Sequence, residues 1–166
     1  MEKKALRILV AEDDFIISQD IRKILEGIGH QVVAEAATGR EAVDLTVEHG
    51  PDLVFMDIRM PEMDGLAAAD LIQEKRPTPV IVLTAYDDDE LALRAARSGA
   101  SAFLVKPARE REIRRVIVIA LARHGDLMEC RRLNQELAQA LREIKILRGI
   151  LPICSFCKNI RNATGY

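Results

Sequence analysis

The sequence predicts an α/β protein built on an open, doubly wound parallel sheet of five strands, followed by an extended C-terminal helix. Five short apolar runs rich in β-branched residues alternate with longer segments whose apolar residues recur three and four positions apart. Runs such as "LVF" and "VIVL" are apolar on consecutive residues, so helices must cover both faces of these strands. Right-handed crossovers fold such a βαβα pattern into one open sheet.

Each strand and helix has its own signal along the chain. The predicted strands are "RILVA" (7–11), "VVAEA" (32–36), "DLVFMD" (52–57), "PVIVLT" (79–84) and "AFLV" (102–105). The helices are marked by apolar residues that share one face. These residues are Ile17, Ile21, Ile24, Leu25 and Ile28; Ala42, Leu45 and Val47; Leu66, Ala69, Leu71 and Ile72; Leu91, Leu93, Ala95 and Ala96; and Ile113, Val116, Ile117, Ala120 and Leu121.

Charge and composition argue against several classes of protein. The chain has 24 basic and 26 acidic residues, and its formal net charge of -2 provides no general attraction to nucleic acid or to an anionic membrane. The longest apolar stretch, Val116 to Ala122, is too short to cross a bilayer, and the N-terminus does not have the pattern of a signal peptide. We therefore expect a cytoplasmic protein without membrane or nucleic-acid partners.

Polar residues stand where four of the predicted strands end. Glu12 and Asp13 follow the first strand, Asp57 ends the third, Thr84 ends the fourth and Lys106 follows the fifth. Each has an ordinary structural interpretation when taken alone, since an acid after a strand often only caps a helix, as Asp13 or Asp14 could do here. The ligand crevice of an open parallel sheet, however, lies beyond the carboxyl ends of its strands. The convergence of these residues at that edge therefore favours a functional site.

The chemistry of this set points to phosphoryl transfer. Three crowded carboxylates repel one another unless a cation lies between them, and oxygen ligands that leave room for water suit Mg²⁺. The Asp57 carboxylate can attack a phosphorus centre to give an aspartyl phosphate. Lys106 and the Thr84 hydroxyl can then interact with the phosphoryl oxygens.

Residues 5–124 resemble a response-regulator receiver domain. The segments "ILVAEDD", "DLVFMDIRMPEMDG", "PVIVLTA" and "GASAFLVKP" match the landmarks of that family in order and spacing. The resemblance implies a flavodoxin-like sheet in the strand order 2-1-3-4-5. It also implies that the protein catalyses its own Mg²⁺-dependent aspartyl phosphorylation and dephosphorylation and does not act on an external substrate. The expected partner is a sensor histidine kinase or a phosphotransfer protein.

The same resemblance assigns a role to each residue of the predicted site. Asp57 is the phosphoacceptor, Thr84 and Lys106 hold the phosphoryl group, and Phe103 is the aromatic switch residue that follows Thr84. The Mg²⁺ ligands are Glu12, Asp13, Asp57 and the backbone carbonyl of Arg59. The acidic pair here is Glu-Asp where Asp-Asp is the common form, and the Lys106–Pro107 peptide bond is expected to be cis.

Beyond residue 124 the pattern changes to heptads. The residues at the a and d positions are Cys130, Leu133, Leu137, Ala140, Ile144, Leu147 and Leu151. This seam predicts a parallel homodimer through residues 126–151, within a signalling helix at 125–151 that follows a receiver domain at 1–124. The alternative is an amphipathic helix that folds back on the receiver, because three heptads are few for a coiled coil.

The last segment, 152–166, contains a Cys154-x-x-Cys157 pair. One such pair is half of a Zn²⁺ site, and a parallel dimer would bring two pairs together, whereas the alternative is two free thiols in an incomplete tail. Two other functions compete with the phosphorylated switch. One is an RNA-binding antiterminator, although the tail is too short for the helical bundle that this function needs, and the other is a phosphorylation-independent scaffold.

Overall fold

A computed structural model describes residues 5–85 and 98–150, with side chains described as far as residue 143. Its five strands are β1 (Arg7–Ala11), β2 (Gln31–Ala36), β3 (Leu53–Asp57), β4 (Val80–Thr84) and β5 (Ala102–Val105). They form one parallel sheet in the order β2-β1-β3-β4-β5, so the predicted fold class and strand order are confirmed. Each strand lies within one residue of its predicted bounds.

Four helices are described, and local side-chain contacts fix where the first three begin. They are α1 (Phe15–Gly27), α2 (Gly39–His49), α3 (Gly65–Lys75) and α4 (Glu110–Ile150). The side chains of Asp14, Thr38 and Asp64 cap the N-termini of α1, α2 and α3 by accepting backbone N–H bonds. The predicted helix marked by Leu91 to Ala96 lies outside the described residues.

The sheet is buried on both faces, as its continuous apolar runs predicted. Val54, Met56 and Val82 belong to a core cluster that includes residues of α2 and α3. Phe55 and Ile81, the alternate strand positions, belong to a second cluster with residues of α1 and of the first part of α4. Two cores, one on each face, therefore hold the sheet rigidly enough to fix the positions of its strand ends.

One predicted core position is wrong. Val47 is 47% exposed, although it was predicted on the apolar face of the second helix. The buried residues of α2 are Gly39, Ala42, Val43 and Thr46, which recur three and four positions apart. Val47 lies at the rim of that face, and Thr46 is tolerated inside because its hydroxyl donates to the carbonyl of Ala42 at 2.7 Å.

By its internal contacts the chain divides into two units, Met1–Gly125 and Asp126–Tyr166. Helix α4 continues through Gly125 and Asp126. From Asp126 to Glu143 its side chains are exposed except that of Met128, which is half-buried. Among the described residues, no helix combines the length and the apolar character needed to cross a membrane.

Candidate functional site

The sheet register places the predicted site residues together at one edge. In β1 and β3, Ala11 pairs with Met56, so Glu12 and Asp57 occupy neighbouring positions at the carboxyl ends of these strands. Strand β4 ends at Thr84, and the N–H of Lys106 donates to the carbonyl of Thr84 at 2.8 Å. This last hydrogen bond extends the β4–β5 ladder by one residue beyond β5.

Three carboxylates meet at this edge. Oxygen atoms of Glu12, Asp13 and Asp57 all lie within 4.8 Å of one another. Glu12 and Asp57 are buried, with relative exposures of 4% and 7%, whereas Asp13 is exposed. The Glu12 backbone is fixed because its N–H donates to the carbonyl of Ala36 at 2.9 Å. The site therefore combines two buried acids with a third at its mouth.

Of the two aspartates that could cap the first helix, Asp14 is the one that does so. Its Oδ1 accepts hydrogen bonds from the N–H groups of Ile16 at 2.8 Å and Ile17 at 3.3 Å, and these bonds start α1. Capping of α1 is therefore done by the residue that follows Asp13. Asp13 is consequently left to the carboxylate cluster.

Lys106 is the cation of the site. Its Nζ lies 2.6 Å from Glu12 Oε2 and 2.8 Å from Asp57 Oδ1, so one ammonium group bridges two buried acids. At this distance the ammonium group also donates a hydrogen bond to the buried Glu12 Oε2. Three carboxylates therefore lie beside one ammonium group, and a second cation between them would offset the remaining negative charge.

The pKa values at the site reflect burial and pairing. Burial raises the pKa of Glu12 above its ordinary value of 4.5, and the Asp57 charge adds to this effect, while Lys106 opposes it. Burial alone would lower the pKa of Lys106, but its pairing with Asp57 and Glu12 outweighs burial and raises that pKa above 10.5. Lys106 is therefore charged at neutral pH, and a further positive charge would favour the ionised form of Glu12.

The loop after β3 is held by features that the sequence did not reveal. Glu62 has a φ of 64° at the centre of a tight turn, in which the Met63 N–H donates to the Pro61 carbonyl at 2.7 Å. A Cβ at Gly65 would collide with the carbonyl oxygen of Asp57. The "DG" at residues 64 and 65 was the available signal, since glycine permits close backbone approach. Arg59, the predicted carbonyl ligand, lies exposed in this loop.

Thr84 and Phe103 flank the carboxylates in the sheet. The Thr84 hydroxyl donates to the carbonyl of Ala85 at 3.1 Å, so in this structure its described hydrogen bond is local. Phe103 is half-buried against the core cluster shared with α2 and α3. The Lys106–Pro107 bond is cis, as the resemblance implied. Cys154 and Cys157, with the Zn²⁺ site predicted for them, lie outside the described residues.

An apolar groove of about 570 Å³ borders the site. It runs between α1 and the segment after β5, and its lining residues are Ile17, Asp20, Ile21, Lys23, Ile24, Lys106, Pro107 and Ala108. Next to it, at the start of α1, Phe15 and Ile16 are 74% and 71% exposed. The carboxylates therefore have an apolar surface beside them.

Comparisons with known proteins agree with this geometry. Residues 8–118 match the family model of the response regulator receiver domain. The chain is 42% identical over 121 residues to the transcriptional regulatory protein PdtaR of Mycobacterium tuberculosis, an alignment that covers 73% of this chain and 59% of PdtaR. It is also 41% identical over 104 residues to the chemotaxis protein CheY of Bacillus subtilis, which covers 62% of this chain and 87% of CheY.

A solved structure is similar over more of the chain. In it, the yeast Spc42 trimeric coiled coil is fused to another protein; the TM-score is 0.69 at 30% identity, with 89% of this chain and 96% of that chain covered. The alignment with PdtaR spans less than two thirds of that relative's length. From its matching family model, its relatives and its fold, this chain belongs to the response regulator receiver family of two-component signalling.

Proposed function

We propose that this protein is a phosphorylation switch whose phosphoacceptor is Asp57. A sensor histidine kinase, a phosphotransfer protein or a small acyl phosphate supplies the phosphoryl group. The observation that carries the proposal is the Lys106 ammonium, 2.8 Å from Asp57 Oδ1 and 2.6 Å from Glu12 Oε2, beside three carboxylates within 4.8 Å of one another. A scaffold that is never phosphorylated would not need this arrangement of charges.

In the proposed reaction, an Asp57 carboxylate oxygen attacks the donor phosphorus. A phosphorus–oxygen bond to Asp57 forms as the bond to the donor, P–N in a phosphohistidine or P–O in an acyl phosphate, breaks, and the donor leaves with that electron pair. Lys106 already contacts Asp57 and is placed to follow the charge onto the phosphoryl oxygens. Thr84, at the adjacent strand end, can donate its hydroxyl hydrogen to another phosphoryl oxygen once it turns from Ala85.

The carboxylate cluster fits Mg²⁺. The donors are all oxygen, two of the acids are buried, and Lys106 supplies one positive charge beside three carboxylates. Glu12, Asp13, Asp57 and the Arg59 carbonyl would hold the ion, which when bound neutralises charge on the phosphoryl oxygens. Glu12 carries one more methylene than the aspartate common at this position, so it can reach the ion through water.

The donor protein must cover the mouth of the site to deliver its phosphoryl group. The surface there is apolar, with Phe15 and Ile16 exposed and the groove along α1 beside them. Large exposed apolar residues next to a reactive carboxylate are suited to a protein donor. A small acyl phosphate would use the site without needing this surface.

We further propose that the helix beyond residue 125 transmits the signal by pairing with a second copy. Leu133 and Leu137, on the predicted seam, are 50% and 58% exposed in the single chain. The comparison structure that contains a coiled coil covers 89% of this chain, more than residues 1–125.

Charges on this helix favour parallel pairing. Glu129, Glu136 and Glu143 occupy the g positions, so an antiparallel pair would set glutamates against glutamates. Within one helix Arg132 pairs with both Glu129 and Glu136 at 2.6 Å. Arg132 thus offsets the charge of two of the three g-position glutamates, and a parallel partner places Asn134 and Leu141 opposite those two, which do not repel them.

The similarity to PdtaR keeps a role in gene regulation as the second candidate. That relative is a transcriptional regulatory protein, and the alignment of 121 residues corresponds in length to the receiver unit. An RNA-binding output would therefore depend on residues beyond the receiver. Between residues 128 and 143 the helix has six charged residues, three basic and three acidic, and they form no basic stripe. A phosphorylation-regulated dimer accounts better for this segment.

Intact mass spectrometry tests the proposed function. Purified protein incubated with acetyl phosphate and Mg²⁺ is expected to gain one phosphoryl group, and Asp57→Asn is expected to gain none. Asp44→Asn, which changes an exposed acid on α2, is the matched control and should label like the wild type. Undiminished labelling of Asp57→Asn, or no labelling of the wild type, would overturn the proposal.

A further inference from the structure

We propose that Glu35 on β2 is a positioning residue that holds Asp13 in place beside Glu12 and Asp57, and that it thereby sets the Mg²⁺ affinity of the site. Glu35 touches neither the phosphoryl group nor the ion. The inference rests on the proposed function, because it concerns the same cluster of carboxylates. It extends that function to a network of side chains outside the site.

The Glu35 carboxylate is tied to α1 by three hydrogen bonds. Its Oε1 accepts from Ser18 Oγ at 2.9 Å and from Gln19 Nε2 at 3.0 Å, and its Oε2 accepts from Arg22 Nη1 at 2.7 Å. Ser18 is buried and the Glu35 side chain is 31% exposed, so water competes only partly for these bonds. One carboxylate on the edge strand thus fixes the height and rotation of the first two turns of α1.

The same stretch of β2 also fixes the other end of the acidic loop. Ala36, the residue after Glu35, accepts the Glu12 N–H at 2.9 Å. Ser18 links Glu35 to the other end of this loop. Its hydroxyl donates to Glu35, and its backbone N–H donates to the carbonyl of Asp14 at 2.9 Å. Residues 12 to 14 are therefore held at both ends by β2: directly at Glu12 by Ala36, and at Asp14 by Glu35 through Ser18.

The position of the Asp13 carboxylate depends on these contacts with β2 more than the positions of Glu12 and Asp57 do. Glu12 is buried and ion-paired to Lys106, and Asp57 ends a fully buried strand. Asp13 is exposed, so its carboxylate is placed mainly by the backbone between Glu12 and the start of α1. Releasing α1 from Glu35 would let that backbone move and would weaken the one ligand that packing does not hold.

A matched control is available on the same arginine. Arg22 Nε also pairs with Glu26 at 3.0 Å, an i,i+4 contact between side chains that are 39% and 46% exposed. Substitution of Glu26 removes an ion pair from Arg22 but leaves all three bonds of Glu35 to α1. If ion pairing of Arg22 alone mattered, the two glutamates would behave alike.

The test is the affinity for Mg²⁺ without a phosphodonor, measured by isothermal titration calorimetry, together with the Mg²⁺ dependence of Asp57 phosphorylation by acetyl phosphate. In Glu35→Ala we expect the half-saturating Mg²⁺ concentration to rise about tenfold, the lower end for loss of a residue that orients a metal ligand. The rate at saturating Mg²⁺ should stay near that of the wild type, because the reacting groups are intact. Glu26→Ala should match the wild type in both quantities. If Glu35 only stabilised the fold, Glu35→Ala would lower the stability of the protein without raising the half-saturating Mg²⁺ concentration at an unchanged maximal rate.

Glu35→Gln keeps the size of the side chain and serves if Glu35→Ala does not fold. It retains an oxygen for Ser18 and Gln19 but loses the charge that faces Arg22, so an intermediate rise is expected. An unchanged half-saturating Mg²⁺ concentration in a folded Glu35 variant would overturn the inference. Absence of labelling in the wild type would instead contradict the proposed function, so the two failures are distinguishable.

Discussion

The receiver sheet and the helix beyond residue 125 place the same kinds of apolar side chain in opposite surroundings. Val54 and Ile81 have no exposed surface, whereas Leu133, Leu137 and Leu141 are 50%, 58% and 51% exposed. The receiver satisfies its apolar residues within one chain because helices cover both faces of its sheet. A single helix has no second layer. We therefore expect the helix to bury these leucines against a second copy, whereas the core of the receiver is complete within one chain.

The largest expected effect tests the helix. Leu137→Ala combined with Ile144→Ala removes two seam residues from each copy, and each truncation of a buried residue costs about 2 to 5 kcal/mol. We expect the double variant to sediment as a monomer at concentrations where the wild type is a dimer. The receiver should still label on Asp57, because its core is complete in one chain.

Gln135→Ala combined with Arg142→Ala is the control for the seam. Both residues lie at f positions, opposite the predicted interface, and should leave the mass in solution unchanged. A wild type that is monomeric at every concentration, or a double seam variant with the mass of the wild type, would show that the helix does not pair through this face.

A smaller effect tests the receiver site alone. Mg²⁺ binds the folded receiver, so at one hundred times its Kd it should raise the free energy of unfolding by about 2.7 kcal/mol. Chelation of the metal with EDTA should remove this gain. Chemical denaturation followed by circular dichroism measures it. The gain should vanish in Asp13→Asn and persist in Asp44→Asn, and equal gains in both variants would argue against the carboxylate cluster as the Mg²⁺ site.

The smallest effect is a dependence on pH without Mg²⁺. The folded protein holds the Glu12 proton more tightly than the unfolded chain, because burial raises the pKa of Glu12 above 4.5. As the pH rises from 4.5 through the folded pKa, ionisation of Glu12 should therefore lower the free energy of unfolding. Glu12→Gln cannot ionise and should lose this part of the pH dependence. An unchanged slope in denaturation measured across that range would contradict the assignment.

For Lys106 it is the charged form, and not the neutral one, that stabilises the folded protein. Its pKa is raised above 10.5 by its pairing with Asp57 and Glu12 despite burial, so the charged form favours the fold. The stability that it contributes is complete below pH 10.5 and is lost as the pH rises through the folded pKa. The two pH windows are separate, which allows Glu12 and Lys106 to be distinguished in one series of measurements.

The sequence predicted the fold and the edge that carries the site, because both follow from strong local patterns. Continuous apolar runs define strands buried on both faces, and polar residues at the strand ends must then meet. The same patterns did not predict which of two adjacent, chemically similar residues takes a given role. Asp13 and Asp14 are chemically alike, and only the backbone geometry at the start of α1 assigns the cap to Asp14.

Polar contacts between residues far apart in the chain could not be predicted from the sequence either. Glu35 looks like one polar residue in an edge strand, yet its carboxylate accepts three bonds from α1. The turn at Glu62 and the close approach of Gly65 to Asp57 arise from the path of the loop after β3. Periodicity reports which face is buried, and it does not report which polar groups meet.

The most direct test of the central claim is to locate the phosphoryl group. After reaction with acetyl phosphate and Mg²⁺, borohydride reduces an aspartyl phosphate to homoserine, which peptide mass spectrometry identifies by position. We predict homoserine at position 57 in the wild type, and none when the phosphodonor or Mg²⁺ is left out. Homoserine at another aspartate, with position 57 unmodified, would contradict the assignment of Asp57 as the phosphoacceptor.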